Sequence, residues 1–368
     1  MEKKTSRVLV VDDSAFIRQY LKDIINQTAD LEVVGTAADP LKAIHILKKT
    51  EVDVITLDVE MPNMDGLDFL RYLMKFHPLP VVMISSWTQA NSDIAVQALA
   101  LGAVDVVTKP TLGLLSGMEK IKEEIIEKIR TAAQASIVRS SPLAADPPAA
   151  SGSRTLTAKD DGLKITTDKI VAIGASTGGT VALTEICKQL HPDVPGLLII
   201  QHLPAMFTSS FANSLNQIAR IHVKEAKDGE LITSGLALIV PGDRSLTIQK
   251  SGAKYMAKLG PKLKDSIYNP SIDHTLFSVA QVAGVNAMGI ILTGMGDDGA
   301  AGLKAMREKG AYTICQDEKT SIIYGMPQKA WEKKAAVKQV PLSKIAEEIH
   351  RWAGIKYLIM NSHIKSGR

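Results

Sequence analysis

Cysteine is nearly absent from this chain, with Cys187 and Cys315 the two examples in 368 residues. So far apart, they form neither a zinc spacing nor a redox pair, and they read as reduced thiols of an intracellular protein. Aromatics supply only 4% of the residues, and no Lys/Arg run is interleaved with them. Stacking platforms for single-stranded nucleic acid are therefore missing. A net charge of +4, scattered along the chain, argues for no polyanionic partner. No apolar run reaches the ~18 residues of a membrane span. The first residues, MEKKTSRVLVVDDS, hold an apolar run of four before two aspartates, too short for a secretory signal. These absences predict a cytoplasmic protein with no nucleic-acid partner and no membrane insertion. What is present, 45% hydrophobic and 22% charged residues, suits a globular chain with room for two domains.

From 139 to 162 the text RSSPLAADPPAASGSRTLTAKDDG has no hydrophobic period and reads as a linker. Upstream, apolar runs at Val8–Val11, Val33–Val34, Val54–Leu57, Val81–Ile84 and Val104–Val107 alternate with helical patterns such as Ile17, Leu21, Ile24 and Ile25. Strands alternating with helices predict a parallel sheet covered on both faces, here a flavodoxin-like domain of five βα units. Downstream the rhythm returns at Ile170–Ile173, Leu197–Ile200, Leu236–Val240, Gly289–Leu292 and Ala311–Ile314. This predicts a second, larger α/β domain, doubly wound and mostly parallel. The expected division is 1–130, a linker at 131–164, a second domain at 165–357 and a tail at 358–368.

Asp12 and Asp13 directly follow the first predicted strand, and Asp58 the third. In a 2-1-3-4-5 sheet these tips are neighbours at the topological switch point. Three converging carboxylates repel unless a hard cation such as Mg²⁺ sits among them. Ser85 and Lys109 end the fourth and fifth strands and add a hydroxyl and an ammonium to the same rim. Together these groups make a receptor for a phosphoryl group on one carboxylate. Over residues 6–127 the chain resembles the receiver domain of two-component response regulators. The resemblance implies that Asp58 accepts phosphate from a histidine kinase. It also implies that Asp12, Asp13, Asp58 and the main-chain carbonyl of Glu60 hold Mg²⁺, with Ser85 and Lys109 as the switch. Val106 stands where that family often has an aromatic switch residue, which counts against a swinging-aromatic mechanism.

The second domain opens on IVAIGASTGG, residues 170–179. It fails the dinucleotide fingerprint at Ser176 and the P-loop at Thr180. It fits G-x-S-x-G, a turn that lifts a serine out of a sheet, and equally a turn whose Ser176 only caps a helix. A nucleophile needs a base and an orienting acid. His202 tops the next strand, in Q-H-L-P, with His274 as its rival. The acid lies in LTGMGDDGAAG, as Asp297 or Asp298. Thr177 and the N–H groups of the 176–179 turn are oxyanion-hole candidates.

The motifs G-A-S-T-G-G, Q-H-L-P, P-S-I-D and L-T-G-M-G-x-D-G-A-A-G are similar to those of the chemotaxis protein-glutamate methylesterase family, over essentially residues 1–355. The resemblance implies a Ser176–His202–Asp298 triad without a cofactor. It implies hydrolysis of γ-glutamyl methyl esters, and deamidation of glutamines, on chemoreceptor helices. Met295 and the Phe207/Phe211/Leu215 face are candidates for packing against such a helix, although i, i+4, i+8 apolar spacing more often marks a core face. Two departures are Asp297 in place of Asn and Asn269 in place of Arg. The receiver is expected to block the rim until Asp58 is phosphorylated. The alternative is a regulator without enzymatic activity whose second domain only binds a partner.

Overall fold

The computed structural model describes residues 5–61, 64–86, 92–109, 115–135, 169–264 and 266–355, with side chains of the 115–135 segment from 121 onward. The sequence at 139–162 and the tail at 358–368 lie outside the described residues. The chain divides into two compact units, Met1–Asp168 and Lys169–Arg368. No described helix is long and apolar enough to cross a membrane.

The first unit alternates β1 (Ser6–Val11), α1 (Ala15–Asn26), β2 (Leu31–Ala37), α2 (Pro40–Leu47), β3 (Val54–Leu57), α3 (Gly66–Phe76), β4 (Val81–Ser85), α4 (Ser92–Ala100), β5 (Asp105–Thr108) and α5 (Leu115–Ala133). The strands lie parallel in the order β2-β1-β3-β4-β5. Every residue of β3 and β4 is buried, as a sheet covered on both faces requires. Helix starts are set locally. Ser14, Asp39 and Asp65 each accept an N–H from the first turn of the helix they precede. Ser14, and not Asp12 or Asp13, therefore caps α1, which leaves the two acids to other work. Val11 pairs with Leu57, so Asp12 and Asp58 leave one sheet edge side by side.

The second unit is built on seven parallel strands: β6 (Ile170–Ala175), β7 (Gly196–Gln201), β8 (His222–Glu225), β10 (Leu236–Ile239), β13 (Ala287–Ile291), β14 (Tyr312–Gln316) and β15 (Lys338–Val340). Their order is β15-β14-β13-β6-β7-β10-β8. From β6 the chain lays β7, β8 and β10 on one side, with β10 between β7 and β8, then crosses to β13 and builds outward through β14 and β15 on the other. The tips of β6, β7 and β13 therefore meet at a switch point, where open α/β sheets hold their sites. Among the described residues six helices cover the sheet: α6 (Gly179–Gln189), α7 (Ala205–Ile218), α8 (Ile272–Val282), α9 (Ala300–Glu308), α10 (Met326–Glu332) and α11 (Leu342–Ala353).

Two findings go beyond the sequence reading. An antiparallel hairpin, β11 (Ser245–Ser251) with β12 (Lys254–Gly260), joins the short β9 (Leu231–Ile232) in a separate sheet. Its inward residues Leu246, Ile248, Tyr255 and Ala257 share one core with Leu276 and Val279 of α8. The hairpin thus seats α8, whose first turn serves the site described below. Phe207, Phe211 and Leu215 are 1%, 2% and 0% exposed. Their i, i+4, i+8 spacing marks the inner face of α7 and not a docking surface.

Candidate active site and acidic cluster

Ser176 directly follows β6. The bland account of it fails, because Gly178 occupies the cap position of α6 and no side chain caps that helix. Gly178 has φ +76°, a left-handed turn that a glycine makes without strain. It lets the chain leave the strand, expose Ser176 and enter α6 within three residues. Ala175 pairs with Gln201, so Ser176 and His202 emerge from neighbouring strands in matching register. His202 Nδ1 lies 3.2 Å from Ser176 Oγ. Buried Gln201 ties the two tips together, its Nε2 donating to the carbonyls of Ser176 (2.9 Å) and His202 (3.1 Å).

On the far edge of the imidazole, Nε2 lies 2.9 Å from Asp298 Oδ2. The ring is thus turned the other way from the serine-protease arrangement, where Nε2 faces the serine. A proton on Nε2 leaves Nδ1 as a lone-pair acceptor toward Ser176. Asp298 is 6% exposed and sits on the start of α8. It accepts the N–H groups of Ile272 (2.8 Å) and Asp273 (2.9 Å) and the hydroxyl of Ser271 (3.3 Å). Burial pushes its carboxyl up, but His202 and these N–H groups outweigh burial and hold it below the usual carboxylate range. The P-S-I-D motif, to which sequence reasoning assigned no task, supplies these donors. Asp297 points elsewhere, 3.3 Å from Lys333 and exposed. His274 sits in the first turn of α8, its main-chain N–H on Ser271.

The oxyanion-hole expectation narrows. Ser176 N–H donates to the Thr293 carbonyl (3.0 Å) and Gly179 N–H to the Ser176 carbonyl (2.7 Å), so two of the turn's donors are already engaged. Thr177 is buried, and its carbonyl accepts Thr293 Oγ1 at 3.0 Å. Met295 lies 38% exposed in the turn after β13. Beside it, Gly294 lies against Ser176. A Cβ there would sit 2.6 Å from Ser176 Cβ and 2.4 Å from Met326 Sδ. The methionine can give way, but the turn carrying Ser176 cannot. Gly294→Ala is expected to displace the hydroxyl and cut kcat/KM by about a hundredfold, the scale of an ångström-sized misplacement. Steady-state kinetics on a folded variant check this, and wild-type turnover would refute it.

In the first unit, Lys109 Nζ bridges Asp12 Oδ2 (2.8 Å) and Asp58 Oδ2 (2.7 Å). Burial raises both carboxyls above their ordinary range, against the pull of Lys109. Burial opposes the charge on Lys109 as well, but its two acidic partners raise it overall. One oxygen from each of Asp12, Asp13 and Asp58 lies within 4.8 Å of the others, a donor set that fits a hard divalent cation. Ser85 is buried at the end of β4, and its carbonyl accepts the Lys109 N–H at 2.9 Å. Glu60 is exposed in the loop that follows Asp58. Val106 is buried within β5, opposite Met83.

Residues 171–349 match the family described as CheB methylesterase, and residues 8–116 the response regulator receiver domain. The protein-glutamate methylesterase/protein-glutamine glutaminase of Escherichia coli K12 is 48% identical over 343 residues, 93% of this chain and 95% of that one. The chain belongs to this family. The methylesterase/glutaminase of Salmonella typhimurium LT2 is 47% identical over the same shares of both chains. The catalytic domain of Thermotoga maritima CheB methylesterase is 34% identical, covering 50% of this chain and 98% of that one with a TM-score of 0.49. A methylesterase domain behind a receiver makes this chain an enzyme of the response-regulator class, and the reading of a regulator without catalysis is not favoured.

Proposed function

We propose that Ser176, His202 and Asp298 hydrolyse γ-methyl esters of glutamate, and γ-amides of glutamine, on cytoplasmic chemoreceptor helices. The observation that carries this reading is the unbroken chain Ser176 Oγ–His202–Asp298, at 3.2 and 2.9 Å. Ser176 Oγ attacks the γ-carbonyl while its proton passes to His202 Nδ1. Asp298 holds the Nε2 proton and steadies the imidazolium. The oxyanion forms against the positive N-terminal end of α6. The intermediate collapses, His202 returns its proton to the leaving group, and methanol or ammonia departs. Water then attacks the acyl-enzyme by the same route, releasing glutamate and the free serine. Ester and amide differ only in the leaving group, so one site serves both. Thr177 lines the nucleophile turn and Met295 offers the substrate an apolar contact.

Asp58 is the phosphoacceptor in this reading, supplied by a histidine kinase, and its phosphorylation regulates hydrolysis. Asp12, Asp13 and Asp58, with the Glu60 main-chain carbonyl, would hold Mg²⁺, which offsets the negative charge of the phosphoryl oxygens. Lys109 pairs with the acceptor, and Ser85 provides the hydroxyl of the switch. The test uses the full chain and a receptor cytoplasmic fragment carrying γ-glutamyl methyl esters. Release of methanol and ammonia is expected, rising when a phosphodonor and Mg²⁺ are added. Asp58→Asn is expected to take up no phosphate and to lose that rise. Receptor binding without release of either product would mean a partner-binding output domain instead.

A further inference from the structure

The reaction as written gives Tyr268 nothing to do, yet its ring lies face to face on the imidazole of His202. The centroids are 4.6 Å apart and the planes within 2°. Ser176 and Asp298 contact two edges of the imidazole. Two edge contacts define an axis, and a ring can still rock about it. A flat ring against one face removes that motion. Tyr268 is itself held from both sides. Ser266 Oγ donates to the Tyr268 carbonyl (2.7 Å) and accepts its N–H (3.2 Å). Asn269 turns inward, accepting the Leu263 N–H (2.8 Å) and donating to the Ser266 carbonyl (3.3 Å). The residue that departs from the family's arginine therefore braces this loop. On the other side Gly296 leaves room for the phenol, since a Cβ there would come within 2.6 Å of Tyr268 Oη.

We propose that Tyr268 is a positioning residue for this hydrolysis, holding the His202 ring in the plane that serves Ser176 and Asp298 together and stabilising the imidazolium by its π-face. An aromatic face attracts a cation through its quadrupole, so the contact strengthens when His202 takes the serine proton. The gain arises in the transition state, and it belongs in kcat more than in KM. The proposal rests on the triad reading given above.

The test compares Tyr268→Phe with Tyr268→Leu in the full chain on the esterified receptor fragment. Tyr268→Leu is expected to lower kcat about five- to thirty-fold, about 1–2 kcal/mol at 1.36 kcal/mol per tenfold, with KM within about twofold. Tyr268→Phe keeps the face and should stay within about threefold of wild type. The Nε2 proton resonance of His202 should persist in wild type and Tyr268→Phe and broaden in Tyr268→Leu. Tyr268→Asn is a second variant without a ring, expected to behave as Tyr268→Leu, should the leucine chain fold poorly. Wild-type kcat in the variants without a ring overturns the proposal, and so does an equal loss in Tyr268→Phe or an effect on KM alone. Ser176→Ala, run beside them, keeps the readings apart: full turnover there would overturn the triad itself, whatever Tyr268 does.

Discussion

Ser176→Ala is expected to lose about six orders of magnitude in kcat on an esterified receptor fragment, the scale seen when a serine hydrolase loses its nucleophile. The loss is this large because no neighbouring group can replace the missing oxygen. Thr177 is the adjacent hydroxyl, but it is buried in the turn. His202 and Asp298 would remain aligned with nothing to deprotonate. Rapid quenching and mass measurement should find an acyl group on Ser176 in the wild-type chain and none in the variant. A variant that kept a tenth of the wild-type rate would remove Ser176 from the mechanism.

Asp298→Asn is expected to cost about four orders of magnitude in kcat, as loss of the orienting acid does in serine proteases. The reason follows from which nitrogen faces which partner. The carboxylate accepts a hydrogen bond from Nε2–H, so Nδ1 carries the lone pair that Ser176 needs. An amide N–H in its place would donate to Nε2 and drive the proton onto Nδ1, leaving no base beside the serine. Asp297→Asn should cost tenfold at most, because Asp297 is exposed and pairs with Lys333. Equal losses from the two variants would overturn the assignment of the acid. Asp298 also links to pH. Its folded pKa is lowered, so its contribution to stability is present above the unfolded value and is lost as pH falls through the folded one. Asp298→Asn should flatten that acid-side loss in a series of thermal melts.

The two α/β rhythms were legible because buried parallel strands must be apolar throughout, and VITL and GLLIIQ leave little other use for themselves. The hairpin over 245–260 was not legible as such. Its strands, SLTIQKS and KYMAKLG, carry long polar side chains on their outer faces, and only packing on α8 selects the alternation. Phe207, Phe211 and Leu215 show the same limit from the other side. Helical spacing reveals an apolar stripe, but whether a core or a partner covers it depends on where the helix sits.

Motif and resemblance pointed to Ser176, His202 and the Asp297–Asp298 pair, and to the carboxylates and lysine of the receiver rim. Such groups are legible because their chemistry restricts residue type: a hydroxyl, an imidazole, acids at strand ends. The supports were not. Gln201, Ser271 and Tyr268 act through contacts between segments far apart in the chain, and Asn269 through a local loop brace whose purpose appears only once Tyr268 is seen on His202. Which edge of His202 faces Ser176 is likewise absent from the sequence. The side chain can present either nitrogen, and the N–H groups at the start of α8 select one by fixing where the carboxylate lies. Residue chemistry names the reacting groups one at a time, whereas their relative orientation comes from three strand tips, a helix end and a loop packed around one imidazole.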